Sequence, residues 1–378
     1  MNHPALCIIP PHILENISQR GTPAQRAVAA QTLIQSEAIR GARLSADVRA
    51  LAAALAAPGK SRNVYDAKTG SSLPGTLVRS EGSAASADIA VNEAYDGAGV
   101  TYDLFFNVFG RNSIDGRGMR MDSTVHYGKG YDNAFWNGAQ MVYGDGDEDL
   151  PPAERLFNRF TICLDVIGHE LAHGVTQHEA NLTYSGQPGA LNESMSDVFG
   201  SLVKQYLRGQ TADQADWIVG EGLFTANVNG VGIRSMKAPG TAYDDPVLGK
   251  DPQPAHINDY VNTTSDNGGV HINSGIPNHA FYTACTSLGG NAWEKMGRVW
   301  YKALTEKLTA SSDFQTAANL TYQAAGELYG VGSTEQTAVM VGWKKVGIEA
   351  DVTSNNGGGT GGTGEGCRTA LMRLIGLR

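Results

Sequence analysis

The chain has 378 residues, 29 Lys and Arg against 38 Asp and Glu for a formal net charge of -9, and 41% hydrophobic content. Such a length exceeds one hydrophobic core and favours a two-lobed body, while an acidic balance with no basic cluster before the last dozen residues excludes a phosphate-driven nucleic-acid partner. The widely spaced Cys7, Cys163, Cys285 and Cys367 form neither a disulfide framework nor a thiolate zinc site, and no run of about 18 apolar residues is present to span a membrane.

Residues 1–14 carry no charged n-region, and their short apolar run stops at Pro10 and Pro11, so no signal peptide is recognised. The spacing of Ala27, Ala30, Ile34 and Ala38 predicts a helix over Thr22–Arg40, with a second over Leu44–Leu55. Residues 1–57 are therefore read as a small helical segment. Pro58, Gly59, Lys60 and Ser61 punctuate the chain, after which short alternating stretches at Asn63–Tyr65, Leu77–Arg79 and Thr124–Tyr127 predict strands, making 63–164 a β-rich lobe. Helical periodicity returns at Asp165–Glu179, Leu191–Tyr206, Pro277–Leu288, Trp293–Leu308 and Phe314–Leu328, making 165–350 a mainly helical lobe. Residues 353–366 are nearly all Gly, Thr, Ser and Asn, so 351–378 reads as a flexible linker with a short tail. The expected fold class is α+β.

Within the first long helix, His169 and His173 lie four residues apart on one face, where both imidazoles can meet a single ion, with Glu170 one step round beside it. Two His and one carboxylate around zinc leave a tetrahedral corner for water, whose pKa the metal lowers towards about 7. The third ligand has to come from another element, and Glu193, at the head of the next helical pattern, is chosen. Asp197, one turn on, can accept from the far nitrogen of a ligand imidazole and fix its tautomer. Glu170 is assigned as general base.

These blocks resemble the thermolysin family of zinc endopeptidases over about Val64–Gly347. The resemblance is carried by residues 133–138 and 141–146, by Asp165–His173 and Asn192–Asp197, by Arg234-Ser235-Met236, by 266–275, and by the 19 residues between His173 and Glu193. It implies a two-lobed zincin fold with the zinc helix between the lobes, one catalytic Zn2+, and protein or peptide substrates. By resemblance His271 and Tyr184 donate to the oxyanion, Asp266 orients His271, Asn192 supports the metal ligands, Asn133 and Ala134 pair with extended substrate, and Arg234 binds the carbonyl just beyond the cut. Phe157, Phe160, Val166 and Ile233 fall where the family lines a pocket for the side chain after the scissile bond, which implies Leu or Phe there. Asp165, Asp216 and Glu221 match acids of a paired calcium site, but Lys204 and Ile218 stand where further acids are expected. Calcium wants about six to eight oxygens, so at most one structural Ca2+ is expected.

The leader is similar to the short propeptide of protealysin-like members, which carries Pro-Pro-x-x-Leu, here Pro10, Pro11 and Leu14. The expectation is a helical inhibitor over residues 1 to about 55, removed by cleavage within Ala50–Arg62, on a monomeric enzyme that uses no membrane. The enzyme would be secreted by a route without a recognisable signal peptide, or else cytoplasmic. Cys7 is expected to be a buried inert thiol rather than a cap on the zinc. Two opposing readings are a silent binding protein with structural zinc, which would need a fourth protein ligand, and an exopeptidase, which would need a group to capture a free terminus.

Overall fold

The computed structural model describes residues 6–43 and 59–351. The expected helix at Leu44–Leu55, most of the expected cleavage window and the tail beyond 351 lie outside them.

The leader opens with β1 (Leu6–Cys7) and turns at Pro10 into α1 (Pro11–Arg20). Pro11 suits the first helical position, where its missing N–H has no acceptor to lose. Ile13, Leu14 and Ile17 of α1 are buried. Then α2 (Pro23–Arg43) begins with a capping box: Thr22 N–H donates to Gln25 Oε1 at 2.8 Å, and Thr22 Oγ1 accepts from Gln25 N–H at 3.3 Å.

The β-rich lobe is built on strands β2 (Arg62–Asp66), β3 (Thr76–Ser80), β4 (Met121–Val125), β5 (Ala134–Trp136) and β6 (Met141–Tyr143). With β1 they form one six-stranded sheet in the order β1-β5-β6-β4-β2-β3. The leader strand is antiparallel to β5, with Leu6 opposite Trp136 and Cys7 opposite Phe135. The strand expected to reach Tyr127 stops at Val125, because His126 adopts a left-handed φ of 54°.

This lobe also contains a helix that the sequence reading does not anticipate, α3 (Ile89–Phe109). Gly97, Gly99, Val100 and Thr101 at its middle weaken helix propensity, but tertiary packing wins. A Cβ on Gly97 would lie 2.4 Å from Ile167 Cδ1, so the glycine is what lets α3 sit against the next helix. Asp88 caps α3 by accepting from Ala90 N–H at 2.9 Å.

Helix α4 (Leu164–His178) joins the two lobes and packs against α5 (Gly186–Arg208), which begins five residues ahead of the expected start. At their crossing a Cβ on Gly200 would meet Asp165 O at 2.4 Å, so only glycine permits this backbone approach. Beyond lie α6 (Asp266–Asn273), α7 (Gly275–Leu288), α8 (Met296–Glu306), α9 (Phe314–Tyr329) and α10 (Thr334–Lys345). One large apolar core runs through both lobes and takes in Ile8, Ile13, Leu14 and Ile17 of the leader. The result is the expected α+β, two-lobed arrangement. No described helix is long and apolar enough to cross a membrane.

Candidate active site

The close approach of α4 and α5 sets three ligand atoms together. Atoms of His169, His173 and Glu193, all buried, lie within 4.8 Å of one another. His169 Nε2 is 3.6 Å from Glu193 Oε2, and His173 Nε2 is 3.4 Å from Glu193 Oε1. The two rings are perpendicular, with centroids 4.6 Å apart. His169 Nε2 and Glu193 Oε2 are buried and make no hydrogen bond. Orphaned groups of this kind cost about 1–3 kcal/mol each unless something answers them. A divalent cation fits that demand, and two imidazoles with one carboxylate is a zinc donor set that keeps an open position.

The far nitrogens are held as metal ligands need to be. His169 Nδ1 donates to Asp197 Oδ1 at 2.8 Å, while His173 Nδ1 meets Asn192 Oδ1 at 2.8 Å and Ser196 Oγ at 2.9 Å. The sequence reading passes over Ser196, although its place three residues after Glu193 sets it on the same helical face. Asp197 also receives Arg234 and, from α7, Asn278 Nδ2 at 2.8 Å. Burial alone would raise the Asp197 pKa, but Arg234 and His169 outweigh it and hold this carboxyl well below the usual range.

Glu170 stands beside the triad, wholly buried, and its Oε2 accepts from the Trp136 backbone N–H at 2.9 Å. On the other side, His271 is aimed by Asp266, whose Oδ1 lies 2.6 Å from the ring Nδ1 while Oδ2 accepts from His271 N–H at 2.9 Å. This aim depends on a left-handed turn at Asp266, Asn267, Gly268 and Gly269, with φ between 50° and 85°, which glycine adopts without steric cost. Burial opposes charge on the His271 ring, but Asp266 and Glu193 prevail and lift its pKa to about 9.

The leader lies across this site as an extended peptide. Ile8 N–H donates to Ala134 O at 3.1 Å, Ile9 N–H to Asn133 Oδ1 at 3.0 Å, His271 Nε2 to Cys7 O at 2.9 Å, and Arg234 Nη1 to Ile8 O at 3.2 Å. The residues expected to handle substrate backbone are thus gathered along the short stretch from Cys7 to Ile9. The Tyr184 hydroxyl donates to Glu193 Oε1 and lies 3.2 Å from His271 Nε2, the nitrogen that also meets Cys7 O. Phe157, Phe160, Val166 and Ile233 are buried in the same core as Ile8. The Cys7 side chain is buried and packs in a separate cluster with Tyr127, Tyr131 and Phe135.

The acids considered for calcium converge on an ammonium. Lys204 Nζ is 2.9 Å from Asp165 Oδ2, 2.8 Å from Asp216 Oδ1 and 3.9 Å from Glu221 Oε2, and it donates to Ile218 O at 2.6 Å. Burial disfavours this charge, yet Asp165 and Asp216 raise the Lys204 pKa above its ordinary value.

Fold and site together define a hydrolase of the single-metal class, with a peptide-shaped groove running past the metal ligands. Residues 47–177 match the family description "Thermolysin metallopeptidase, catalytic domain", and residues 180–348 match "Thermolysin metallopeptidase, alpha-helical domain". The chain belongs to the thermolysin metallopeptidase family and is a zinc metalloendopeptidase. It is 51% identical over 350 residues to an "Extracellular metalloprotease" of Pectobacterium carotovorum subsp. carotovorum, covering 92% of this chain and 98% of the relative. It is 46% identical over 348 residues to "Protease PrtS" of Photorhabdus sp. (strain Az29), covering 90% and 92%. Among solved structures, the precursor of protealysin from Serratia proteamaculans superposes with a TM-score of 0.82 at 51% identity, covering 91% of this chain and all of that one.

Proposed function

We propose that this chain is a self-inhibited precursor whose leader, residues 1 to about 57, blocks the cleft by presenting Cys7–Ile9 as an uncut substrate, and that His169, His173 and Glu193 hold the catalytic zinc. The observation that supports this best is the pairing of Cys7 O with His271 and of Ile8 O with Arg234 beside the three ligands. Zinc, when bound, acidifies a water and polarises the scissile carbonyl.

The chain's own groups do the rest. Glu170, fixed by the Trp136 N–H, takes the proton of the attacking water and passes it to the leaving nitrogen. His271 Nε2–H donates to the carbonyl oxygen as charge develops there, and such a preorganised donor is commonly worth about 10²-fold or more. Tyr184, whose hydroxyl lies 3.2 Å from His271 Nε2, joins it. Asp266 holds the His271 ring, and Arg234 holds the next carbonyl. Asn133 and Ala134 add the substrate to the edge of the sheet, where main-chain pairing gives affinity with little sequence demand. Phe157, Phe160, Val166 and Ile233 then favour an apolar side chain after the cut, of which Ile8 is the built-in example. Calcium, at most one ion, remains the reading for the Asp165, Asp216 and Glu221 neighbourhood only in competition with Lys204.

Names of relatives such as "Extracellular metalloprotease" support action outside the cell. The test is to purify the full chain, follow casein cleavage with and without a zinc chelator, and sequence the N-terminus of the active species. The reading requires chelator-sensitive activity that appears only as residues 1 to about 57 are lost. Full activity with the initiating residues still attached would refute self-inhibition, and activity that survives metal stripping would refute the site.

A further inference from the structure

Where α1 of the leader meets the C-terminal lobe, its second residue, His12, sits half-buried. Its Nε2 lies 2.9 Å from Tyr243 Oη, and its Nδ1 is buried with no hydrogen-bond partner. The charged and titratable groups facing it are Tyr243, Asp266, His271 and Arg234. A second proton on this ring would place an N–H where nothing accepts it, next to the Arg234 guanidinium and the His271 ring. Only Asp266 favours the added charge, and both its oxygens are already engaged by His271. The neutral ring fits the docked leader and the charged ring does not.

We propose that His12 is an acid-sensitive latch, whose protonation loosens α1 from the C-terminal lobe and lets the leader leave the cleft. This rests on the reading of the leader as an inhibitor. Burial, joined by His271 and Arg234 and opposed by Asp266, takes the docked His12 pKa down to about 4, whereas a freely solvated His has about 6.5. Docking therefore holds fully above the free value and weakens as pH falls towards the docked one. The loss amounts to roughly 20-fold between pH 7 and pH 5.

The test uses the full chain carrying Glu170→Gln, so that it cannot process itself, with and without His12→Gln, whose amide can still reach Tyr243. A fluorescent peptide with Leu after its scissile bond reports how readily the cleft is vacated. The chain that keeps His12 should give apparent peptide affinity that rises on going from pH 7 to pH 5 by roughly 20-fold more than in His12→Gln. Tyr243→Phe, which removes the hydrogen bond but leaves the imidazole, should bind peptide more tightly at every pH and keep the slope of the chain with Tyr243 intact. Parallel pH profiles with and without His12→Gln would overturn the latch, as would a slope lost in Tyr243→Phe. Tight peptide binding by all chains at pH 7 would instead overturn the inhibitor reading itself. Asp132, a buried carboxyl beneath α2 whose burial raises its pKa, contributes equally to both chains and cancels in the comparison.

Discussion

Arg234 grips Asp197 with two parallel bonds, Nε to Oδ2 and Nη2 to Oδ1, each 2.8 Å long. Since Asp197 also orients His169, one guanidinium reaches both the metal ligands and the bound main chain at Ile8 O. Forked pairing of this kind cannot be made by a point-charge ammonium. Asp197→Asn, which removes the charge but keeps the shape, should weaken zinc by about 10- to 100-fold. Competition with a chromophoric chelator measures it, and unchanged affinity would remove Asp197 from the metal's support.

Glu170 lies outside the three-residue metal group, and its Oε2 accepts from the Trp136 N–H at 2.9 Å. Glu170→Gln should therefore retain stoichiometric zinc while kcat falls by about 10²- to 10⁴-fold. Metal analysis and peptide turnover on the same preparation decide the matter, since turnover persisting in a zinc-loaded variant would assign the base elsewhere.

His126 joins two carboxylates, with Nε2 2.8 Å from Asp88 Oδ2 and Nδ1 2.9 Å from both oxygens of Asp145. The hydrogen bond to Asp145, against the cost of burial and with help from Asp88, lifts its pKa to about 9. A raised folded pKa means the stabilisation is whole below the unfolded value of about 6.5 and fades as pH climbs through the folded one. Tm should accordingly drop between pH 7 and pH 10, and most of that alkaline drop should vanish in His126→Gln. Identical pH dependence of Tm in the two chains would show that this bridge is inert.

Lys204 is almost completely buried among Asp165, Asp216 and Glu221. Arg208 still reaches Asp216 at 3.5 Å and Glu221 at 3.0 Å, but removing the ammonium leaves the buried Asp165 carboxylate without its counter-charge, a change that costs about 3–5 kcal/mol. Lys204→Ala should lose stability on that scale in urea unfolding, and added calcium should restore part of it by gathering the stranded oxygens. A variant as stable as the parent would mean that the ammonium is dispensable.

The two imidazoles were legible because a helix converts a spacing of four into a shared face, and Glu170 and Asp197 follow from the same geometry, whereas Asn192 came only through the family resemblance. Asn133, Ala134, Arg234, His271 and Asp266 could be placed only through the family resemblance, since their gathering around one groove depends on contacts between distant parts of the chain. Helix α3 stayed hidden because Gly97 and Gly99 depress local propensity at the very point where Ile167 needs room. The pairing of Leu6 and Cys7 with β5 was equally unreadable: two residues carry no alternation, and their partners lie far along the chain. His12 gave no signal at all, because its character comes from Tyr243, Asp266 and Arg234 rather than from its neighbours in sequence.

The outermost strand of the six is borrowed from the leader. Once that segment departs, the sheet is one strand short, and the carbonyl of Ala134 is left facing water. On the proposed reading each visiting polypeptide finishes the architecture for the length of its stay and cleavage dismantles it again, so catalytic turnover becomes a cycle of repairing and reopening the fold's own rim.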